Sequence, residues 1–265
     1  MLSNSLSSLW KYRAFIVGSV KREFQSKYRN SLLGIAWPII QPLAMILVYT
    51  VIFSQIMRAK LPGIDSTFAY SIYLCIGIIT WSLFSEITTK AQSVFIDNGN
   101  LLKKLSFPRI CLPVIVILNA LLNFGIIFAL FTLFLIVTGN FPGWVFFACI
   151  PLLLLQIAFA IGLGITLGVL NVFFRDIGQF YSIFLQFWFW LTPIVYSANI
   201  LPESIRPFMA FNPLFALTEA YQNIFTKGIG PDWSSLWPLV LATLIFNYLG
   251  FALFRKHSGE IVDEL

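Results

Sequence analysis

Apolar residues run almost the whole length of this chain and leave too few charged residues to cover a water-exposed surface. Of the 265 residues, 58% are hydrophobic and 11% are charged, whereas a soluble domain usually has about 25% charged residues. Such a surface must be solvated by lipid. Because a helix satisfies all its backbone hydrogen bonds within one segment, the sequence predicts a single all-α integral membrane domain over residues 1–265.

Six segments are apolar enough to cross a bilayer, which takes about 20 residues of helix. The loops between them give the orientation, since Lys and Arg near the spans stay in the cytoplasm. Of the 17 Lys and Arg residues, only Arg58, Lys60, Arg206 and Lys227 fall on one side. Both chain ends share the other, basic side and are predicted to be cytoplasmic. The predicted spans 1 to 6 are 34–57, 68–87, 110–137, 145–170, 177–196 and 236–254.

Three segments outside the spans predict further elements. Residues 1–33 form an amphipathic helix in the inner headgroup layer. Residues 97–108 form a short basic helix on the cytoplasmic face, with an ordinary interfacial loop as the alternative. Residues 201–225 are apolar but broken by prolines, which predicts short re-entrant helices at the outer edge, or else a simple interfacial hairpin. The apolar line of the first segment consists of Leu6, Trp10, Val17, Val20, Phe24 and Tyr28.

Several functional classes are disfavoured by what the sequence lacks. No acidic or basic residue lies clearly at the midpoint of a span, whereas proton- and sodium-coupled transporters normally need one. There is no GxxxxGK[ST] phosphate-binding loop. His257 is the only histidine, and Cys75, Cys111 and Cys149 lack metal-ligand spacing, so neither a metal site nor a catalytic triad is expected. Energy for uphill movement would have to come from a partner.

Aromatic residues are concentrated in span 5, where they offer faces on which sugar rings can stack. Weak, repeated contacts of this kind suit a passage through which a polymer slides. A position in the core or facing lipid is the more common role of such aromatics. The candidate channel-lining residues are Trp37, Tyr49, Tyr181, Phe187, Trp188, Trp190 and Tyr196.

Four motifs, in this order and topology, are similar to those of a known family. They are the basic and aromatic run 21–34 leading into Trp37-Pro38, the KKLSFP run 103–108, the FRDI run 174–177, and the LTPIVY run 191–196 followed by Asn212-Pro213. Through them the whole chain resembles the membrane subunit of type-2 ABC exporters of polysaccharide. That family exports O-antigen, capsule polysaccharide or teichoic acid.

The resemblance implies a type-2 ABC permease fold in the bacterial cytoplasmic (inner) membrane. It implies a homodimer that forms a channel for a lipid-linked glycan, most readily O-antigen of lipopolysaccharide. Two copies of an ABC ATPase subunit would bind ATP and magnesium, so this chain would be no enzyme and would hold no cofactor. The contact with the ATPase would comprise Asn98, Leu101, Leu102, Lys103, Lys104, Phe107, Arg175 and Asp176.

Two more groups of residues take roles from the resemblance. A basic group at the inner headgroup level would meet the pyrophosphate of a lipid carrier, since arginine pairs well with phosphate oxygens. Plain attraction to anionic lipid is the alternative. The basic group is Lys21, Arg22, Lys27 and Arg29, and the outer gate would include Pro202, Pro207, Asn212 and Pro213.

Other functions stay open at this point. A type-2 ABC permease for a drug, a lipid or another small hydrophobic substrate would share the fold. A membrane scaffold without a transport path is an alternative from another class. A lipid-modifying enzyme is disfavoured because the chain has one histidine and no acidic residue at mid-membrane depth.

Overall fold

The computed structural model describes residues 10–28, 34–52, 68–104, 108–197, 202, 204, 206–257 and 259–264. Within these ranges the regular structure is helical. The helices are α1 Arg13–Tyr28, α2 Trp37–Tyr49, α3 Ala69–Asp97, α4 Gly99–Lys104, α5 Cys111–Val137, α6 Cys149–Phe173, α7 Asp176–Trp190, α8 Arg206–Met209, α9 Pro213–Lys227, α10 Trp237–His257 and α11 Glu260–Asp263. Short 3₁₀ turns at Gly34–Ala36, Gly143–Ala148 and Trp233–Leu236 lead into α2, α6 and α10.

Four helices are long and apolar enough to cross a membrane, and they match predicted spans 2, 3, 4 and 6. Span 1 is represented by the shorter apolar helix Trp37–Ile52, and its predicted residues 53–57 lie outside the described residues. Span 5 is α7, which has only 15 residues. The six-span count and the orientation therefore stay predictions. The four long helices are Ala69–Asp97, Cys111–Val137, Gly143–Phe173 and Trp233–His257.

Two helices end elsewhere than the predicted spans. Helix α3 runs on past the predicted residue 87 to Asp97, because Lys90 and Gln92 in its last turns contact neighbouring helices and hold it in the bundle. Helix α7 ends at Trp190 rather than at residue 196. Proline 193 disfavours a helical conformation at the residue before it, so residues 191–196 form turns instead.

Helix α3 is central in the described bundle, where it packs against α5, α6 and α9, while α10 lies along α6. Glycines on α6 allow both close approaches. A Cβ added at Gly164 or Gly168 would come within 2.5 Å of Ala91 on α3. On the α10 side, a Cβ added at Gly162 would come within 2.7 Å of Asn247. Small residues let membrane helices pack closely in this way.

The predicted N-terminal helix is present as α1, and of its predicted apolar line Val20 packs against the bundle. Ile16 and Val20 are the buried residues, and they pack on Cys111 and Ile115 at the start of α5. Trp10 and Val17 are 72% and 63% exposed. The protein-facing side thus carries Ile16 and Val20 with Phe15 partly buried beside them, and the tryptophan stays on the exposed side. Leu6 and the side chain of Tyr28 lie outside the described residues.

The predicted helix in the Pro-rich segment is present as α9, which is too short to span a bilayer. The Asn212 side chain caps its start by accepting a hydrogen bond from the backbone N–H of Leu214, and Gly228 ends it with φ of +64°. Its residues Tyr221 and Ile224 are almost fully buried. Helix α9 is thus packed within the bundle, whereas Phe208 and Phe211 before it are exposed.

Candidate coupling and transport sites

Helix α4, within the predicted coupling segment, is joined directly to the end of α3. The Asn98 side chain donates to the Val94 carbonyl at 2.8 Å, while the Asn98 carbonyl accepts from the N–H groups of Leu101 and Leu102. Leu102 is buried and Lys103 is exposed. The short helix therefore turns one side to the bundle and one basic side outward. The Lys104 side chain and Phe107 lie outside the described residues.

A second predicted coupling element, Arg175-Asp176, is an exposed turn between α6 and α7. Directly beside it, the Asn171 side chain donates to the Gln92 carbonyl at 3.2 Å and accepts from the Gly178 N–H at 3.0 Å. These bonds connect the ends of α3, α6 and α7. This junction was not predicted from the sequence. The polar residues Gln92 and Asn171, at the ends of two apolar segments beside the FRDI motif, could have indicated it.

An ion-pair network, also missed, lies at the same end of the bundle. Lys90 Nζ lies 3.0 Å from Glu23 Oε1 on α1 and 3.2 Å from Glu86 Oε1, one turn away on α3. Asn119 on α5 donates to the second Glu23 oxygen, and Asn123 donates to Glu86 Oε2 at 2.9 Å. Both carboxylates are only partly covered, so these pairs remain accessible to water. The network joins α1, α3 and α5. Its sequence signal was the i, i+4 spacing of Glu86 with Lys90 on α3 and of Asn119 with Asn123 on α5.

The end of the bundle that carries these features is called the basic end below. It comprises α1, α4, the 174–177 turn and the last turn of α10. Of the predicted headgroup residues, Lys21 and Arg22 are exposed on α1, and Arg22 donates to Ser19 Oγ at 3.1 Å. The Lys27 side chain and Arg29 lie outside the described residues. Ammonium and guanidinium groups in this position are able to bind phosphate oxygens.

Helix α7 divides the predicted channel-lining residues between two faces. Tyr181 and Trp188 are 4% and 9% exposed, and they face the core of the chain. The Trp188 ring packs on Phe84 with centroids 5.3 Å apart. The opposite side carries large exposed residues at helical spacing. We call it the exposed aromatic face, and it consists of Phe180, Phe184, Phe187 and Trp190.

The remaining predicted lining residues take intermediate positions. Trp37 at the start of α2 is 42% exposed. Tyr49 near the end of α2 is half-buried. Tyr196 is also half-buried, and its hydroxyl donates to the Trp190 carbonyl at 2.9 Å. The Tyr196 bond ties residues 191–196 to the end of α7.

At the opposite end of the bundle, Asn212 ties the start of α9 to the end of α7. Its oxygen accepts from Trp188 Nε1 at 2.9 Å, and its amide donates to the Leu191 carbonyl and to Thr192 Oγ1. Nearby, Gln222 of α9 donates to the Pro193 carbonyl at 3.0 Å. Among the other predicted gate residues, Pro213 begins α9, whereas Pro202 and Pro207 are exposed.

The histidine and the cysteines lie in separate places. Cys75, Cys111 and Cys149 are free and buried. His257 pairs with Glu260, with Nδ1 and Oε2 2.6 Å apart. Over the described part of the chain, no group of three or more His, Cys, Asp or Glu is placed to hold a metal ion.

The chain matches the family model described as ABC-2 type transporter over residues 16–226, a range that runs from α1 through nearly all of α9. It belongs to the ABC-2 type transporter family. This ABC-2 chain is 30% identical over 259 residues to the O-antigen export system permease protein RfbA of Myxococcus xanthus, with 97% of each chain covered. It is 28% identical over 252 residues to RfbA of Klebsiella pneumoniae, with 94% of each covered.

A more distant ABC-2 relative is the polysialic acid transport protein KpsM of Escherichia coli, which is 24% identical over 246 residues, 91% of this chain and 92% of KpsM. The matches cover almost the full length of each protein, so the family predicted from the four motifs is confirmed. With its long apolar helices, this ABC-2 chain is a multi-pass permease of the bacterial inner membrane.

Proposed function

We propose that this chain is the channel-forming permease subunit of an ABC transporter that exports a lipid-linked polysaccharide across the cytoplasmic membrane. The functions of the similar proteins named above support the substrate class. O-antigen is the first candidate, because the two O-antigen permeases are 30% and 28% identical to this chain and the polysialic acid protein is 24% identical.

The exposed aromatic face of α7 is the observation that carries the transport path. Phe187 and Trp190 are 65% and 64% exposed in the single chain. In the proposed homodimer, two such faces meet and bound a path between the protomers. Aromatic faces stack on the apolar faces of sugar rings, so successive units of a glycan slide past them.

The basic end is the proposed docking site for two ATPase subunits. It faces the cytoplasm because 13 of the 17 Lys and Arg residues lie on this side of the proposed topology. Lys103 of α4 and the Arg175-Asp176 turn are exposed there. The ATPase subunits bind ATP and magnesium, and this chain itself carries out no catalysis.

Exposed Lys21 and Arg22 of α1 are proposed to meet the phosphates of the lipid carrier at the same membrane surface. Helices α8 and α9 at the opposite end are proposed to close the exit. Because Asn212 links α9 to the end of α7, opening of the exit would move α9 and the end of α7 together.

Deletion of the gene, followed by complementation, tests the function. Loss of surface glycan, with lipid-linked polymer accumulating inside the cell, is expected in the deletion strain, and the wild-type gene should restore export. Normal surface glycan in a strain without a second exporter would contradict the proposal. A purified complex whose ATPase is stimulated by hydrophobic drugs and not by lipid-linked glycan would assign a small hydrophobic substrate instead.

A further inference from the structure

The C-terminal turn α11 is packed into the bundle although it lies at the end of the chain. Ile261 is 0% exposed, as deep as the residues at the centre of α3. The last residues of a chain are usually poorly ordered unless something holds them. The burial of Ile261 therefore indicates that α11 packs at a defined site on the bundle.

That packing site lies beside α4, within the predicted coupling segment. Ile261 belongs to one apolar cluster with Leu102 of α4, Phe95 of α3 and Val172 of α6. Helix α11 also contacts α4 directly. The inner side of α4 thus rests on α3, α6 and the C-terminal turn together.

Two contacts orient the turn. His257 Nδ1 lies 2.6 Å from Glu260 Oε2, which links the end of α10 to the start of α11. The His257 ring also meets the Phe173 ring edge-on at the end of α6, with centroids 5.2 Å apart. The only histidine of the chain therefore fixes the direction in which α11 leaves the bundle.

We propose that α11 is a brace for α4, with Ile261 as the positioning residue. The inference rests on the proposed docking of an ATPase at α4. A helix of six residues does not hold its own shape in water, because isolated helices need roughly 12–15 residues. Braced from behind by Ile261, α4 transmits a push from the ATPase to α3. Without the brace the same push tilts α4, and ATP hydrolysis no longer drives export.

The test compares Ile261→Ala with the matched variant Glu264→Ala, which shortens an exposed side chain in the same tail. Each permease is reconstituted with its ATPase subunits and lipid-linked glycan in proteoliposomes, and glycan exported per ATP hydrolysed is measured. For Ile261→Ala we expect the glycan exported per ATP hydrolysed to fall roughly tenfold or more, because the substitution removes a buried isoleucine side chain that packs beside α4. Glu264→Ala and the conservative Ile261→Val should keep the wild-type ratio. A wild-type ratio for Ile261→Ala overturns the brace.

A cysteine pair tests the proximity directly, because a disulfide restores the link that the two shorter side chains lose. Leu102→Cys with Ile261→Cys should form a disulfide on oxidation in native membranes. Lys103→Cys with Ile261→Cys should not, because the Lys103 side chain is exposed whereas Ile261 is buried. The cross-linked permease should still export. No cross-link, or cross-linking that stops export, overturns the brace. If the wild-type complex hydrolyses ATP without exporting glycan, the proposed substrate fails, and the cross-linking result still decides on the brace.

Discussion

The two ends of the bundle differ in that ion pairs between helices lie at the basic end, where neutral side chains such as Asn171 also bind backbone carbonyls. At the basic end, charged side chains pair with one another across helices, as Lys90 does with Glu23 and Glu86. At the opposite end, neutral side chains bind backbone carbonyls. There Tyr73 donates to the carbonyls of Pro193 and Tyr196, and Gln222 donates to that of Pro193.

The difference bears on the free energy needed to break the contacts at each end. Partly exposed ion pairs contribute about 0–1 kcal/mol and exchange readily with water and salt. A buried group that loses its hydrogen bond costs about 1–3 kcal/mol. The ion pairs of the basic end should therefore break at a lower cost in free energy than the buried hydrogen bonds of the opposite end.

The largest expected effect separates the two faces of α7. Trp188→Ala should lower the free energy of unfolding by about 3–5 kcal/mol, because it empties a buried aromatic site. Trp190→Ala removes the same side chain from the exposed aromatic face, so it should leave stability unchanged and slow export. Thermal unfolding in detergent and an export assay measure the two effects. Equal losses of stability in both variants would contradict the two-face description.

The second effect concerns the opposite end. Asn212→Ala should destabilise the protein by about 2 kcal/mol, because it removes a helix cap and leaves Trp188 Nε1 unpaired. Asn223→Ala, the same substitution on the half-buried side of α9, is the control. If both variants melt at the same temperature, Asn212 does not hold α9 to α7.

A smaller effect is expected at the ion-pair network. Lys90→Met should destabilise by about 1 kcal/mol, since Glu23 and Glu86 then lose their shared cation. The loss should shrink as salt rises, because salt screens partly exposed pairs. Unfolding midpoints measured from low to high salt test this expectation. A salt-independent loss would mean that Lys90 acts through packing.

The smallest effect on stability is expected at α4. Lys103→Glu changes only an exposed charge, so the unfolding midpoint should stay within about 0.5 kcal/mol of the wild type. Co-purification of the ATPase should nevertheless weaken if α4 is the docking element. Lys227→Glu, a charge reversal outside the basic end, is the control. Undiminished co-purification for Lys103→Glu would place docking on another surface.

The sequence predicts the helices better than the contacts between them. Apolar runs located the four long helices and the short α9, because a bilayer-spanning helix has a minimum length. The division of α7 into a buried and an exposed face was not predicted. Aromatics occupy both faces, so hydropathy alone could not separate Tyr181 and Trp188 from Phe187 and Trp190.

Composition and charge order by themselves determined an all-helical membrane protein, since so few charges cannot cover a water-facing surface. The motifs determined its family. Only the tertiary structure decided how the two ends are held, and it did so by bringing together residues distant in sequence. Glu23 meets Lys90, and Ile261 shares an apolar cluster with Leu102, across stretches of chain that carry no local signal. Contacts of this kind depend on how helices pack, and no periodicity in one segment records its partner in another.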